Sequence, residues 1–392
     1  MKHNRWSNFE TSVFSRMTEA ALSHGAINLA QGFPNFDGPE TIKERAIAAI
    51  RNGMNQYAPS VGPLGLRQLL AQHQEKRCGL RYDPATEVTV FSGATEAIFC
   101  AIMTLLDPGD EVLTFAPHYD SYPAAALAAG AAIKCVNLEP PHWDLREEAI
   151  RAQLSERTRA LIVNSPHNPS GRVLSHAELE AIATVARERD LLVITDEVYE
   201  HIVYDNAEHL FLAAFEGMRE RTVMVSSTSK TYSLTGWKVG YAFAPAALSR
   251  NMRALHQYTV FCSATPLLEG MCAAFELGQE YYEKLRADYS ERRDFLFDSL
   301  VRCGFQCVRP QGTYFILADY SRLSDLDDEA FCLWLTREAK VAAIPMSAFF
   351  ARQDGSCERW RYLRFAFAKD MATLREAVDR LETFFGVARG SL

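Results

Sequence analysis

No stretch of the 392-residue chain is long and apolar enough to span a bilayer. The greasiest run, residues 124–133, is mostly alanine, is broken by Gly130, and suits a packed helix. Positive charge is not in excess. Lys plus Arg is 41 against 49 Asp plus Glu, a formal net charge of −8, so bulk charge gives no hold on nucleic acid. None of the nine cysteines forms a C-x-x-C pair; Cys303 and Cys307, the closest, enclose three residues. Structural zinc is therefore not indicated, and reduced, mostly buried thiols of a cytoplasmic protein are the expectation. Polar residues follow Met1 with no apolar run of signal-peptide type, which agrees with that placement. Neither G-x-x-x-x-G-K nor G-x-G-x-x-G occurs, which removes the P-loop and dinucleotide fingerprints. Internal repeats and low-complexity linkers are lacking too.

What is present is the composition of an ordinary globular enzyme, 48% hydrophobic and 23% charged, which excludes disorder, collagen and a coiled coil. Short apolar runs recur, each followed by small or polar residues. They are Val88–Phe91, 112–115, 160–163, 191–194 and 222–225. Each is too short for a helix and lacks strict alternation, which predicts strands buried on both faces. Helical patterns fall between them, at 96–106 and at 175–189, where Ser175 and Glu178 have capping-box spacing. Strand–helix alternation over 88–245 predicts a mostly parallel, helix-covered sheet. Beyond about Gln279 the texture changes. A long charged helix at 281–301, strands near 312–318 and 362–367, and helices near 328–340 and 372–384 predict a smaller α+β unit. The expected division is 1–43, an N-terminal segment without sheet pattern that packs on the small unit; 44–279, the large domain; and 280–392, the small domain.

In sheets of this kind ligands bind beyond the carboxyl ends of the strands, and the chemistry-bearing residues cluster there. Lys230 follows the run at 222–225; a lysine beside packed apolar layers is a usable nucleophile or base, the plain alternative being a solvated loop lysine. Ser227 through Lys230 also fits S-x-x-K, the acylation motif of penicillin-binding enzymes, but its K-T-G and S-D-N companions are missing. Asp196 ends another run, with no metal-ligand spacing around it, and Tyr199 lies three residues on. Asn164 and Asn168 sit in a loop stiffened by Pro166, Pro169 and Gly171. Ser92, Gly93, Ala94 and Thr95 join strand to helix, where open N–H groups favour a phosphate. Arg364, on an apolar strand, suits a two-pronged grip on a carboxylate, with an interdomain ion pair as the alternative.

Taken together, these segments resemble the class I/II pyridoxal-phosphate-dependent aminotransferases of fold type I, nearest the kynurenine, glutamine and methionine group. The matching stretches are Asn28 to Pro34, Asn55 to Tyr57, Ser92 to Ala97, Asn164 to Gly171, Asp196 to Tyr199, Ser227 to Lys230, Gly236 to Gly240, and Arg364 with Phe365. The resemblance implies an aspartate aminotransferase-like α/β fold, with a mostly parallel seven-stranded sheet flanked by helices plus a smaller α+β domain. It implies pyridoxal 5'-phosphate bound as a Schiff base to Lys230, which also shuttles the substrate proton, and ping-pong transfer of an amino group from an L-amino acid to a 2-oxo acid. Asp196 is implied to pair with the pyridine nitrogen, Tyr199 and Asn168 with the ring oxygen, and Tyr119 to stack on the ring. Ala94, Thr95, Ser227 and Lys238 form the implied phosphate cup, reached by Tyr57 of a neighbouring subunit in a homodimer with shared sites. Arg364 is implied to clamp the substrate carboxylate beside Asn168 and the Gly32 backbone. His118 and Thr228 depart from the family pattern and bear on the pocket lining. A cysteine-S-conjugate or cystathionine β-lyase on the same scaffold is the alternative. A serine acyl-transferring enzyme and a non-catalytic cofactor sensor are the readings from other classes.

Overall fold

A computed structural model describes residues 12–350 and 360–387. Part of the expected N-terminal segment, residues 1–11, lies outside the described residues. In chain order, α1 (Val13–His24) and β1 (Ile27–Asn28) precede α2 (Glu40–Arg51) and α3 (Leu64–Cys78). Then follow β2 (Val88–Phe91), α4 (Ala94–Leu105), β3 (Glu111–Ala116), α5 (Ser121–Ala129), β4 (Ala132–Asn137), α6 (Glu147–Gln153), β5 (Thr158–Asn164), α7 (His176–Glu188) and β6 (Leu192–Asp196). The middle of the chain closes with β7 (Thr222–Ser227), α8 (Thr228–Thr231), β8 (Gly240–Phe243), α9 (Ala246–Thr259) and α10 (Thr265–Ala274). The rest is α11 (Gln279–Arg302), β9 (Gln306–Cys307), β10 (Phe315–Asp319), α12 (Asp328–Glu338), β11 (Val341–Ala342), β12 (Ile344–Pro345), β13 (Tyr362–Ala366) and α13 (Met371–Phe384).

Seven strands form one sheet in the order β2-β8-β7-β6-β5-β3-β4, and only β8 runs against its neighbours. The expected α/β class is present. Burial on both faces explains the unbroken apolar runs: Ile162 and Ile194 share a core with Ala97 and Ala101 of α4. Their neighbours Leu161 and Val193 share the opposite core with Ile182 and Ala186 of α7. α7 starts at the capping box read from the sequence, with the Ser175 hydroxyl accepting from Glu178 N and the Glu178 carboxylate accepting from Ser175 N. Glu178 also accepts from Arg172 and from Leu145 N, so the cap anchors the loop after β5.

A second sheet, β12-β13-β10-β9, is antiparallel throughout. Several details differ from the sequence reading. The segment before residue 43 does carry a strand, since β1 pairs in parallel with β11; two residues are too few to show a period. The boundary expected at 43/44 falls inside α2, and that at 279/280 falls within the first turn of α11. Residues 124–133 divide between α5 and β4, because Gly130 takes φ +74 and ends the helix. The strand read near 312–318 starts later, at Phe315, after Thr313 adopts φ +63. Among the described residues no helix is long and apolar enough to cross a membrane.

Candidate active site

Register brings the polar loops together. Asn164 at the end of β5 lies opposite Asp196 at the end of β6. Gly240, at the start of the reversed strand β8, lies opposite both Ser227 of β7 and Phe91 of β2. A Cβ on Gly240 would stand 2.3 Å from Ala94 N, so β8 presses directly on the first residue of α4. Gly93 takes φ +87, and a Cβ there would lie 2.9 Å from Lys238 Nζ. The open N–H groups of the α4 start thus share their corner with a lysine amine. Ser227 caps α8, accepting from Ser229 N at 3.1 Å and donating to Val239 O at 3.2 Å.

A cavity of about 140 Å³ opens here, lined by Ala94, Thr95, Tyr119, Asn168, Asp196, Tyr199, Ser227, Lys230 and Lys238. Lys230 Nζ donates to Gly32 O at 3.2 Å, and Tyr314 donates to the same carbonyl at 2.6 Å. Burial, with Arg364 and Lys238 nearby, pushes the Lys230 amine down to about 8. Asp196 is 4% exposed. Burial pushes its carboxyl up to about 6, opposed by a 2.6 Å hydrogen bond from Tyr122. Asn164 fixes the surrounding backbone, donating to Asp196 O at 2.8 Å and accepting from Asn168 N at 2.8 Å. Tyr199 is buried edge-on to Tyr314, and burial raises its hydroxyl well above the ordinary phenol value.

Arg364 reaches the same place from the second sheet. Its guanidinium donates to Asn168 Oδ1 at 2.9 Å and to Ala30 O at 3.0 Å. Phe315, Phe349 and Phe14 surround it at 3.8, 4.8 and 5.4 Å from their ring centroids. Nε is buried without a hydrogen-bond partner among the described residues, and burial lowers the group to about 10. A guanidinium held by neutral oxygens and aromatic faces is a site prepared for an anion.

Of the residues read from the sequence, Tyr57 stands apart: it is 83% exposed and rests edge-on against Phe261 at 5.2 Å. Gly32 meets Lys230 through its carbonyl, while Ala30 supplies the carbonyl beside Arg364. Sequence reasoning missed Tyr122, Tyr314, the three phenylalanines and His167. Tyr122 had a faint signal, since it lies three residues after Tyr119 just inside α5, and the two rings pack edge-on at 5.9 Å. His167 joins two cavity loops, with Nε2 donating to Pro117 O at 2.9 Å and Nδ1 accepting from the Ser170 hydroxyl at 2.7 Å. The carbonyl can only accept, which sets the tautomer. A larger groove of about 980 Å³ lies elsewhere, and none of the residues read from the sequence as site residues borders it. Its Arg172 and Arg309 are already paired, with Glu178 and Asp294.

Residues 24–381 match the family model described as aminotransferase class I and II. The chain is 43% identical to methionine aminotransferase of Escherichia coli, over 95% of each chain. The solved structure of that bacterium's methionine aminotransferase superposes with a TM-score of 0.93, covering 98% of this chain and 99% of the other. A probable N-succinyldiaminopimelate aminotransferase of Mycobacterium tuberculosis is 44% identical, over 97% of this chain and 98% of its own. The solved N-succinyldiaminopimelate aminotransferase of that organism gives a TM-score of 0.94, covering 98% of this chain and all of the other. A kynurenine–oxoglutarate transaminase of Dictyostelium discoideum is 35% identical, over 96% of this chain and 94% of its own.

Proposed function

The chain belongs to the class I and II aminotransferases, and from that premise we propose that it moves the amino group of a methionine-, glutamine- or aromatic/kynurenine-type L-amino acid to a 2-oxo acid, using pyridoxal 5'-phosphate at Lys230. The observation that carries the reading is a half-buried amine, Lys230, sharing one small cavity with a buried carboxylate, Asp196. The residues fit the cofactor. The α4 start, Ser227 and Lys238 suit its phosphate, Tyr119 its ring face, Asp196 its ring nitrogen, and Tyr199 with Asn168 its ring oxygen. When bound, the cofactor supplies the electron sink that makes the α-proton of an amino acid removable.

Lys230 Nζ is the group that would hold the cofactor's aldehyde. With its pKa lowered to about 8, a useful fraction is free amine near neutral pH, fit to take the α-proton and return it. Asp196, as a carboxylate, favours a proton on the ring nitrogen. Arg364 supplies two prongs for the substrate carboxylate, and its flanking Phe14 and Phe349 rings favour an apolar or aromatic side chain. The donor leaves as a 2-oxo acid before the acceptor takes the amine in the reverse sequence. The exposure of Tyr57 supports its use by a second copy of the chain, in a cytoplasmic homodimer.

The test begins with pyridoxal phosphate added to the protein. A visible band that is absent in Lys230→Ala supports the reading, and a chain that gains no band rejects it. A donor screen with 2-oxo acids then sets specificity. Pyruvate and ammonia from cystathionine, formed without any acceptor, would mark a β-lyase instead.

A further inference from the structure

Asp196 has two oxygens with different surroundings. Oδ2 accepts from the Tyr122 hydroxyl at 2.6 Å, while among the described residues Oδ1 has only a long 3.4 Å contact from Val198 N. Tyr122 is 1% exposed, on the first turn of α5, and sits edge-on to Tyr119 at 5.9 Å. Its phenol is neutral, because burial beside Asp196 raises it well above its ordinary value, so the hydroxyl donates and the carboxylate accepts.

We propose that Tyr122 is a positioning residue for Asp196: its hydroxyl occupies Oδ2, fixes the carboxylate rotamer, and leaves Oδ1 open to the ring nitrogen of the cofactor. The proposal rests on reading the cavity as a pyridoxal phosphate site. The donor also favours the ionised carboxylate, against the burial that favours the neutral acid. Only the ionised, oriented form gives the ring nitrogen a charge-assisted hydrogen bond, roughly twice as strong as a neutral one. Tyr122 therefore acts on the cofactor through Asp196, not by touching it.

The experiment compares the affinity of the cofactor-free chain for pyridoxal phosphate and for its 1-deaza analogue, in which C–H replaces the ring nitrogen. The expected result is a wild type that prefers the nitrogen-bearing ligand. Tyr122→Phe lowers that preference at least threefold, and in an Asp196→Asn background the same substitution leaves it unchanged. A merely structural tyrosine would weaken both ligands alike, and an unchanged or larger preference in Tyr122→Phe overturns the proposal. Should that chain fail to fold, 4-fluorophenylalanine at 122 fills the hydroxyl's volume without donating, and the same fall is required of it. A wild type that binds both ligands equally overturns the reading of the site together with the proposal. A wild type that discriminates, matched by a variant that discriminates equally, overturns the role of Tyr122 alone.

Discussion

Arg364 donates to the side-chain carbonyl of Asn168 at 2.9 Å, from a strand of the small sheet to a loop of the large one. Among the described residues no carboxylate forms an ion pair with this buried cation. Arg364→Lys keeps the charge but loses the fork that lets one group serve Asn168, Ala30 and an incoming carboxylate together. The expected outcome is a fall in kcat/KM of about 100- to 1,000-fold, carried mainly by KM for both amino donor and oxo acid. Steady-state kinetics with each substrate checks it.

Lys230 is held at a cost to stability. Its amine has a folded value near 8 against 10.5 in an unfolded chain. Between those values the unfolded chain binds more protons, so stability rises with pH; the penalty is full below about 8. Lys230→Met, without cofactor, is expected to melt about 2–4 °C above the cofactor-free wild type at pH 7. The gap narrows as pH approaches 10.5. Calorimetry across that range decides it.

His167 is neutral, with burial pushing it down to about 4 from 6.5. Between these values the unfolded chain again binds the extra proton, so wild-type stability is full above about 6.5 and declines toward pH 4. His167→Ala strands the Pro117 carbonyl and the Ser170 hydroxyl, at about 2–3 kcal/mol, and its stability falls less steeply over that pH range. Cofactor affinity drops as well, because the loops carrying Tyr119 and Asn168 lose their link. Urea titrations at pH 7.5 and 5 test the two stability effects, and a pyridoxal phosphate binding titration tests the affinity.

Gly240→Ala puts a methyl against backbone, 2.3 Å from Ala94 N, with no flexible side chain to yield. The α4 start must move. Affinity for pyridoxal phosphate is expected to fall at least tenfold, while pyridoxal without phosphate is affected much less. Paired binding titrations distinguish this from general unfolding.

Much of the fold was legible because strands buried on both faces leave unbroken apolar runs, and because the Ser175 capping box is local in the chain. The β1–β11 pairing was not, being two residues long with its partner 314 positions away. Tyr122 was legible as a close sequence neighbour of Tyr119, but not as the donor to Asp196, 74 residues on. The Phe14 and Phe349 rings around Arg364 left no mark in any motif, since each reads as ordinary core.

By itself the sequence determined which residue types stand at the strand ends and in what order: the amine, the carboxylate, the paired asparagines and the small residues before α4. These are properties of short segments, set by local backbone preference and apolar patterning. Only the tertiary structure decided which atoms meet. The reversal of β8 brings Gly240 onto Ala94, Gly32 crosses 198 positions to receive Lys230, and Asp196 divides its two oxygens. Those choices depend on register and on packing between distant elements, where a shift of one residue turns a side chain to the other face of the sheet.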